Sequence, residues 1–166
     1  MAKAEKVQKT NAMRELERAG IDYVLRTYED DGEEASGLGA AISEQLGEEP
    51  GQGFKTLVTT TPAGDHVVCC IPVAEELDLK AAARVAGEKS LAMMHVKDLL
   101  PTTGYVRGGC SPIGMKKRFR VLIDETCILW DTVFISGGKR GYQLELAPDD
   151  LISFTGAAVA PITREG

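Results

Sequence analysis

Three stretches of this chain carry residue types that could do chemistry, and they lie far apart in the sequence. The first is Gly108-Gly109-Cys110-Ser111-Pro112-Ile113-Gly114, followed at once by Lys116, Lys117, Arg118 and Arg120. Three glycines, a serine and a proline in seven residues exclude a helix or a central strand. Such a loop leaves backbone amides open, and clustered amides suit a carbonyl oxygen or an anion. A tight surface turn has the same composition. The second is Lys55, set inside the apolar and hydroxylated run Phe54–Thr60. A lysine there either snorkels outward at a sheet edge or enters a pocket as a fixed positive charge. The third is Ser136-Gly137-Gly138-Lys139-Arg140-Gly141, which reads as a hairpin corner or as one wall of a cleft.

Familiar catalytic sets are missing. The sequence has no GxSxG elbow, no Walker loop and no HExxH motif. Ser111 has no evident histidine partner, because His66 and His95 fall in segments read as core or surface. Cys69 and Cys70 are neighbours, and Cys110 and Cys127 stand alone. With no CxxC pair and no ligand spacing between the histidines, neither a structural metal nor a cofactor is expected.

Composition narrows the class. At 166 residues, 43% hydrophobic and 27% charged, the chain reads as one globular domain, 1–166, with a flexible N-terminus over 1–9. No apolar run reaches membrane-spanning length and no signal-peptide core follows the polar start, so a cytoplasmic protein is expected. The net charge of −6 excludes coating of nucleic acid by bulk electrostatics, but the basic run could still hold a few phosphates.

The elements that must position these groups are legible from periodicity. Thr10 caps a helix over Asn11–Ala19, closed by Gly20, and a strand follows over Ile21–Tyr28. The acidic stretch Glu29–Glu34 reads as a loop, and Ser36 as the cap of a helix carrying Leu38, Ala41, Ile42 and Leu46. Phe54–Thr60 and His66–Ile71 form a hairpin about Pro62-Ala63-Gly64-Asp65. Asp78 caps a helix that Gly87 closes. Leu91–Met94 is a short strand, and Val96–Leu100 a helical turn or two stopped by Pro101. Strands are expected over Phe119–Asp124, Ile128–Ile135 and Tyr142–Leu146, then a helix from Pro148 and an edge strand at Ala158–Ala160. Strands in blocks with irregularly inserted helices give an α+β fold with a mixed sheet.

Taken together, Thr27-Tyr28-Glu29, Phe54-Lys55-Thr56-Leu57, Thr103–Gly114, Lys116-Lys117-Arg118 and Ser136–Gly141 resemble one family in order and spacing. It is that of the YbaK-type cysteinyl-tRNA(Pro) deacylases, relatives of the editing domain inserted in bacterial prolyl-tRNA synthetases. The likeness runs from about Thr10 to about Ala160. It implies a compact mixed sheet rolled towards a barrel and flanked by helices. It also implies hydrolysis of the ester between a wrong amino acid and the 3′-adenosine of tRNA(Pro). A synthetase pocket sized for proline rejects cysteine or alanine weakly on contacts alone, so a second hydrolytic site is needed.

By the same resemblance, Lys55 and Gly108 are the catalytic positions, Lys55 as a positioning charge and Gly108 as backbone against the substrate carbonyl. Gly109, Cys110, Ser111 and Pro112 complete that wall, and Tyr28, Thr56, Ser136, Gly137 and Gln143 line the pocket. Lys116, Lys117, Arg118, Lys139 and Arg140 would meet tRNA phosphates, with prolyl-tRNA synthetase as a partner. No protein nucleophile is required, because an aminoacyl ester is already activated. In the cysteine-specific members the substrate thiol is thought to attack its own carbonyl; others use water and the adenosine 2′-hydroxyl. Cys110 departs from the aliphatic residue expected there, which leaves clearance of alanine or another small residue open as an alternative. A module that binds tRNA or the synthetase without hydrolysis is the reading from another class.

Overall fold

The computed structural model describes residues 8–29 and 46–164. The N-terminus expected to be flexible, the expected acidic loop and the helix expected from Ser36 fall wholly or mainly outside these ranges.

Chain order is α1 (Asn11–Arg18), β1 (Val24–Thr27), β2 (Phe54–Thr60), β3 (His66–Pro72), α2 (Leu79–Ala86), β4 (Ala92–Met93) and α3 (Val96–Thr103). It continues through β5 (Arg120–Asp124), a 3₁₀ turn (Glu125–Leu129), β6 (Val133–Ser136), β7 (Tyr142–Leu146), α4 (Pro148–Thr155) and β8 (Ala158–Ala160). Thr10 caps α1 by accepting from the Met13 amide, and Asp78 caps α2 by accepting from Ala81. Among the described residues no helix is long and apolar enough to cross a membrane.

Strands form two sheets, ordered β1-β7-β6 and β4-β2-β3-β5-β8. The first is antiparallel throughout. The second is mixed, since β2 pairs antiparallel with β3 while β5 runs parallel to both β3 and β8. A single parallel bridge, Gly53 to Phe134, joins β6 to the start of β2. The expected roll towards a barrel is therefore two sheets hinged at that bridge, not a closed cylinder.

The period-2 alternation of strands sorts the core into two. Val58, Val68, Cys70, Ile123, Ile135, Leu144 and the α1 residues Ala12 and Leu16 fill the space inside the roll. Val67, Cys69, Ile71 and Leu122 face the other way and pack under Ala82 and Ala83 of α2. β3 is buried on both faces because the inner core covers one and α2 covers the other, while β2 and β5 pair with its two edges.

Two expectations are corrected. Pro101 does not stop α3, which runs on to Thr103 and ends at Gly104 in the left-handed conformation. Proline removes only its own N–H, and the Gly104 amide still closes the turn on Leu100 O, while Thr103 Oγ1 donates to Leu99 O. The strand expected over Ile128–Ile135 begins only at Val133. Ahead of it, Asp124 accepts from the amide and hydroxyl of Thr126 and from the Ile162 amide, which turns the chain into 3₁₀ geometry. Ile128 and Leu129 are left exposed.

Candidate active site

The Gly53–Phe134 bridge brings the sequence-distant groups together. Both strands run parallel there, and side chains alternate with a period of two, so two residues further on Lys55 and Ser136 share a face. Ser136 stands opposite Gln143 on β7, and Gln143 opposite Arg26 on β1. Lys55, Ser136, Gln143 and Arg26 thus form a row across the outside of the roll.

Lys55 is half-buried, and among the described residues no hydrogen-bond acceptor or carboxylate pairs with its ammonium. Burial pulls its pKa below the ordinary lysine value, while Glu76 and Glu75, on the turn after β3, pull the other way. A desolvated cation without a partner costs stability, so its retention points to a site.

The glycine loop packs directly on the Ser136–Gly141 corner. Gly109 lies so close that a Cβ there would sit 3.0 Å from the Arg140 nitrogen and 3.2 Å from the Lys139 carbonyl carbon. Tyr105 is the wedge between the two loops. Its hydroxyl donates to Ile113 O at 2.6 Å, and both Gly114 and Gly138, each with positive φ, crowd its ring or hydroxyl. Thr10 Oγ1 donates to Gly137 O at 2.6 Å, which ties the start of α1 to the same corner, and the Tyr28 amide donates to Gly141 O at 3.0 Å. Sequence reasoning missed Tyr105 as a positioning residue; its place just ahead of a glycine loop was the available signal.

The loop offers fewer amides than its composition suggests. The Gly109 amide donates to Val106 O and the Ile113 amide to Ser111 Oγ. Gly108, half-buried with φ of 87°, keeps an amide with no partner among the described residues.

Several expected pocket side chains point elsewhere. Thr56 alternates with Lys55, so its hydroxyl turns inward, 3.9 Å from Cys70 Sγ. Cys110 is buried in the inner core, where burial pushes its thiol up to about 12 despite a hydrogen bond with Thr103. It fills the volume expected of an aliphatic residue. Ser111 and Pro112 are buried too, and they shape the loop from behind.

A polar clasp holds the segment that leads into β2. The Glu48 side chain is 1% exposed, and it accepts from Gln143 Nε2 at 3.0 Å and from Arg26 at 3.4 Å. Burial raises its carboxyl pKa, with Gln143 and Arg26 opposing. Arg26 also reaches Glu145 and lies over the Phe134 ring, and Gln52 donates to Thr132. Gln143 Oε1 is buried and has no hydrogen-bond partner among the described residues. The alternation of Arg26, Gln143 and Glu145 to one face was readable; Glu48, in a Pro/Gly connection, gave no signal.

Lys116, Lys117 and Arg118 are exposed beside α3, and Lys139 lies over the Tyr142 ring. Arg140 belongs to the corner that meets Gly109.

The α+β roll thus carries a half-buried lysine in a row with Ser136, Gln143 and Arg26, and a glycine loop packed on the corner that follows Ser136. Comparison with known proteins identifies the class: residues 33–154 match the aminoacyl-tRNA editing domain, and the chain belongs to that family. It is 46% identical over 165 residues to a protein of Enterococcus faecalis named as a candidate Cys-tRNA(Pro)/Cys-tRNA(Cys) deacylase, EbsC, covering 99% of each. Two solved structures share the fold. A hypothetical protein, APE2540, superposes with a TM-score of 0.84 at 22% identity, over 93% of this chain and 100% of that one. A candidate trans-editing enzyme for prolyl-tRNA synthetase superposes with a TM-score of 0.79 at 24% identity, over 96% and 100%.

Proposed function

We propose that this protein is a trans-editing deacylase that hydrolyses the ester of cysteine mischarged onto tRNA(Pro). Lys55 carries the reading: a half-buried ammonium without a carboxylate partner, on the same face as Ser136, is costly unless it serves a ligand. Family membership and the EbsC relative supply the substrate class.

In this mechanism Lys55 binds the charged 3′ end and holds it still. The Gly108 amide donates to the ester carbonyl oxygen, which gains negative charge as the tetrahedral centre forms. Ser136, Gly137, Gln143 and Tyr28 bound the pocket, with Gly109 to Pro112 as its backing wall. The attacking group comes from the substrate or solvent: the cysteine thiol cyclising on its own carbonyl, or a water. Attack breaks the acyl–oxygen bond, and the adenosine hydroxyl leaves with a proton. No side chain of the protein needs to become covalently attached.

The enzyme would act in the cytoplasm on charged tRNA, docked with prolyl-tRNA synthetase for tRNA selection, with residues 1–166 as one editing domain. Its acidic net charge agrees with weak tRNA binding by the free protein.

A panel of Cys-, Ala-, Ser- and Pro-charged tRNA(Pro), with Cys-tRNA(Cys) beside them, tests this. Cysteine release from tRNA(Pro), lost in Lys55→Ala, is the expected result. Faster release of alanine would make this a paralogue of the alanine type. Binding with no turnover on any charged tRNA would make it an adaptor.

A further inference from the structure

Resting on the deacylase reading of the Lys55 row, we infer that Glu48 is a positioning residue. It turns the Gln143 side-chain amide so that Oε1 is offered to the bound ester, where it accepts from the substrate's α-amino group.

The polar clasp around Glu48 is matched throughout except at one atom. Glu48, with 1% of its side chain exposed, accepts from Gln143 Nε2 at 3.0 Å and from Arg26 at 3.4 Å. Glu145 accepts from Thr132 Oγ1 at 2.6 Å and pairs with Arg26 Nε at 3.4 Å. Gln143 is 8% exposed, and among the described residues its Oε1 is the one buried side-chain nitrogen or oxygen without a hydrogen-bond partner. A buried acceptor left empty costs stability, and a donor carried in by a ligand removes that cost.

Glu48 decides which end of the amide stays empty. The two ends are nearly the same shape and differ in that one donates and the other accepts. With Nε2 towards Glu48 the amide donates to a carboxylate. Turned over, it would set Oε1 against that carboxylate, two acceptors with no proton between them. Glu48 therefore holds Nε2 and leaves Oε1 as the free end. Without Glu48 the amide can turn, and the site then presents a donor as readily as an acceptor.

The charge at this end of the row selects the donor. Two carboxylates, Glu48 and Glu145, share one guanidinium, that of Arg26, so the end is net negative. Lys55 makes the other end positive, and Ser136 stands between them. An aminoacyl ester carries its carbonyl oxygen and its amino group on adjacent carbons, and so has the same polarity. Lys55 and the Gly108 amide suit the oxygen; Gln143 Oε1 suits the nitrogen. A hydroxyl or thiol could also donate to Oε1, but neither brings the positive charge that a negative end favours.

Two esters separate this role from a structural one: Cys-tRNA(Pro) and 3-mercaptopropionyl-tRNA(Pro), the same acyl group without its amino group. Wild type, Glu48→Ala, Glu48→Gln and Gln143→Met are compared on both, with thermal unfolding as the fold check. In Glu48→Ala and Gln143→Met, kcat/KM on Cys-tRNA(Pro) should fall by about tenfold or more, while that on the desamino ester stays near the wild-type value. Glu48→Gln, which still offers Gln143 an acceptor, should keep most of the wild-type preference. Equal losses on both esters in the two truncating variants overturn the proposal. Binding to wild type is measured by calorimetry with two adenosine analogues that carry an amide in place of the ester, 3′-cysteinylamino-adenosine and its desamino counterpart. The amino form should bind tighter by about tenfold or more. Equal binding of the two, or binding of neither, also overturns the proposal. If wild type hydrolyses neither ester the deacylase reading fails, and the paired amide analogues still decide the role of Gln143 Oε1.

Discussion

Gly109 and Arg140 touch backbone to backbone, with room for no side chain: a Cβ on Gly109 would sit 3.0 Å from the Arg140 nitrogen. That contact fixes the loop presenting Gly108 to the corner that begins at Ser136. Neither neighbour can yield cheaply, because the three atoms that a Cβ would meet, Arg140 N and the carbonyl carbon and Cα of Lys139, all belong to the main chain. Gly109→Ala should therefore spread the two loops, costing about 1–3 kcal/mol of stability. Activity should fall by about 100-fold, as expected when catalytic groups are misplaced by about an ångström. Denaturant unfolding and deacylation rates check both; wild-type activity in a folded Gly109→Ala protein would remove the wall from the mechanism.

Lys55 should trade stability for activity. Its native pKa lies below the ordinary lysine value, so between those two values the unfolded chain binds the proton more tightly. Stability therefore rises as pH climbs through that window, and at neutral pH the buried charge is a net cost. Lys55→Met keeps an apolar stem without the charge. It should melt at a higher temperature than wild type at pH 7, lose the alkaline rise in stability, and lose activity by on the order of 100-fold. A Met variant that is both active and unchanged in stability would contradict this.

Glu48 has the opposite sign. Its carboxyl pKa is raised by burial, so the native state binds that proton more tightly than the unfolded chain. This contribution is fully present below the unfolded value and is lost as pH rises through the raised native value. Glu48→Gln should flatten that part of the stability–pH curve while keeping an acceptor for Gln143. Glu48→Ala, which strips Gln143 Nε2 of its partner, should cost about 1–3 kcal/mol. Equilibrium unfolding between pH 4 and pH 8 distinguishes the variants.

The cysteines should be inert in the native protein. All four are buried, and burial pushes the Cys69 and Cys110 thiols up to about 12 and that of Cys127 up to about 11. Thiolate is the reactive form, so alkylation at pH 8 followed by mass spectrometry should label none until the protein is unfolded. Cys110→Val should retain near-wild-type deacylation, since the thiol faces the core and not the lysine row.

What local chemistry decides was readable in the chain. Thr10 and Asp78 as helix caps, the Pro62–Asp65 hairpin and the alternation of β7 all depend on near neighbours, and each stands where the sequence places it. One misreading, that of Pro101, was local, and the other came where a distant group intervened: Asp124, holding Ile162 as well as Thr126, keeps the chain ahead of Val133 out of the expected strand. The site divides along the same line. Lys55, the glycine loop and the Ser136–Gly141 corner stand out by residue type, because a lysine in an apolar strand and glycines in close succession are locally unusual. Which of them share a face is another matter. One bridge, Gly53 to Phe134, sets the register between strands far apart in sequence, and a slip of one residue would turn Lys55 inward and Thr56 outward. The sequence alone determined which groups the protein carries for chemistry. The tertiary structure decided that Lys55 stands beside Ser136, that Cys110 is core, and that Glu48 takes hold of Gln143, because each depends on packing between segments that have no influence on one another until the sheets close.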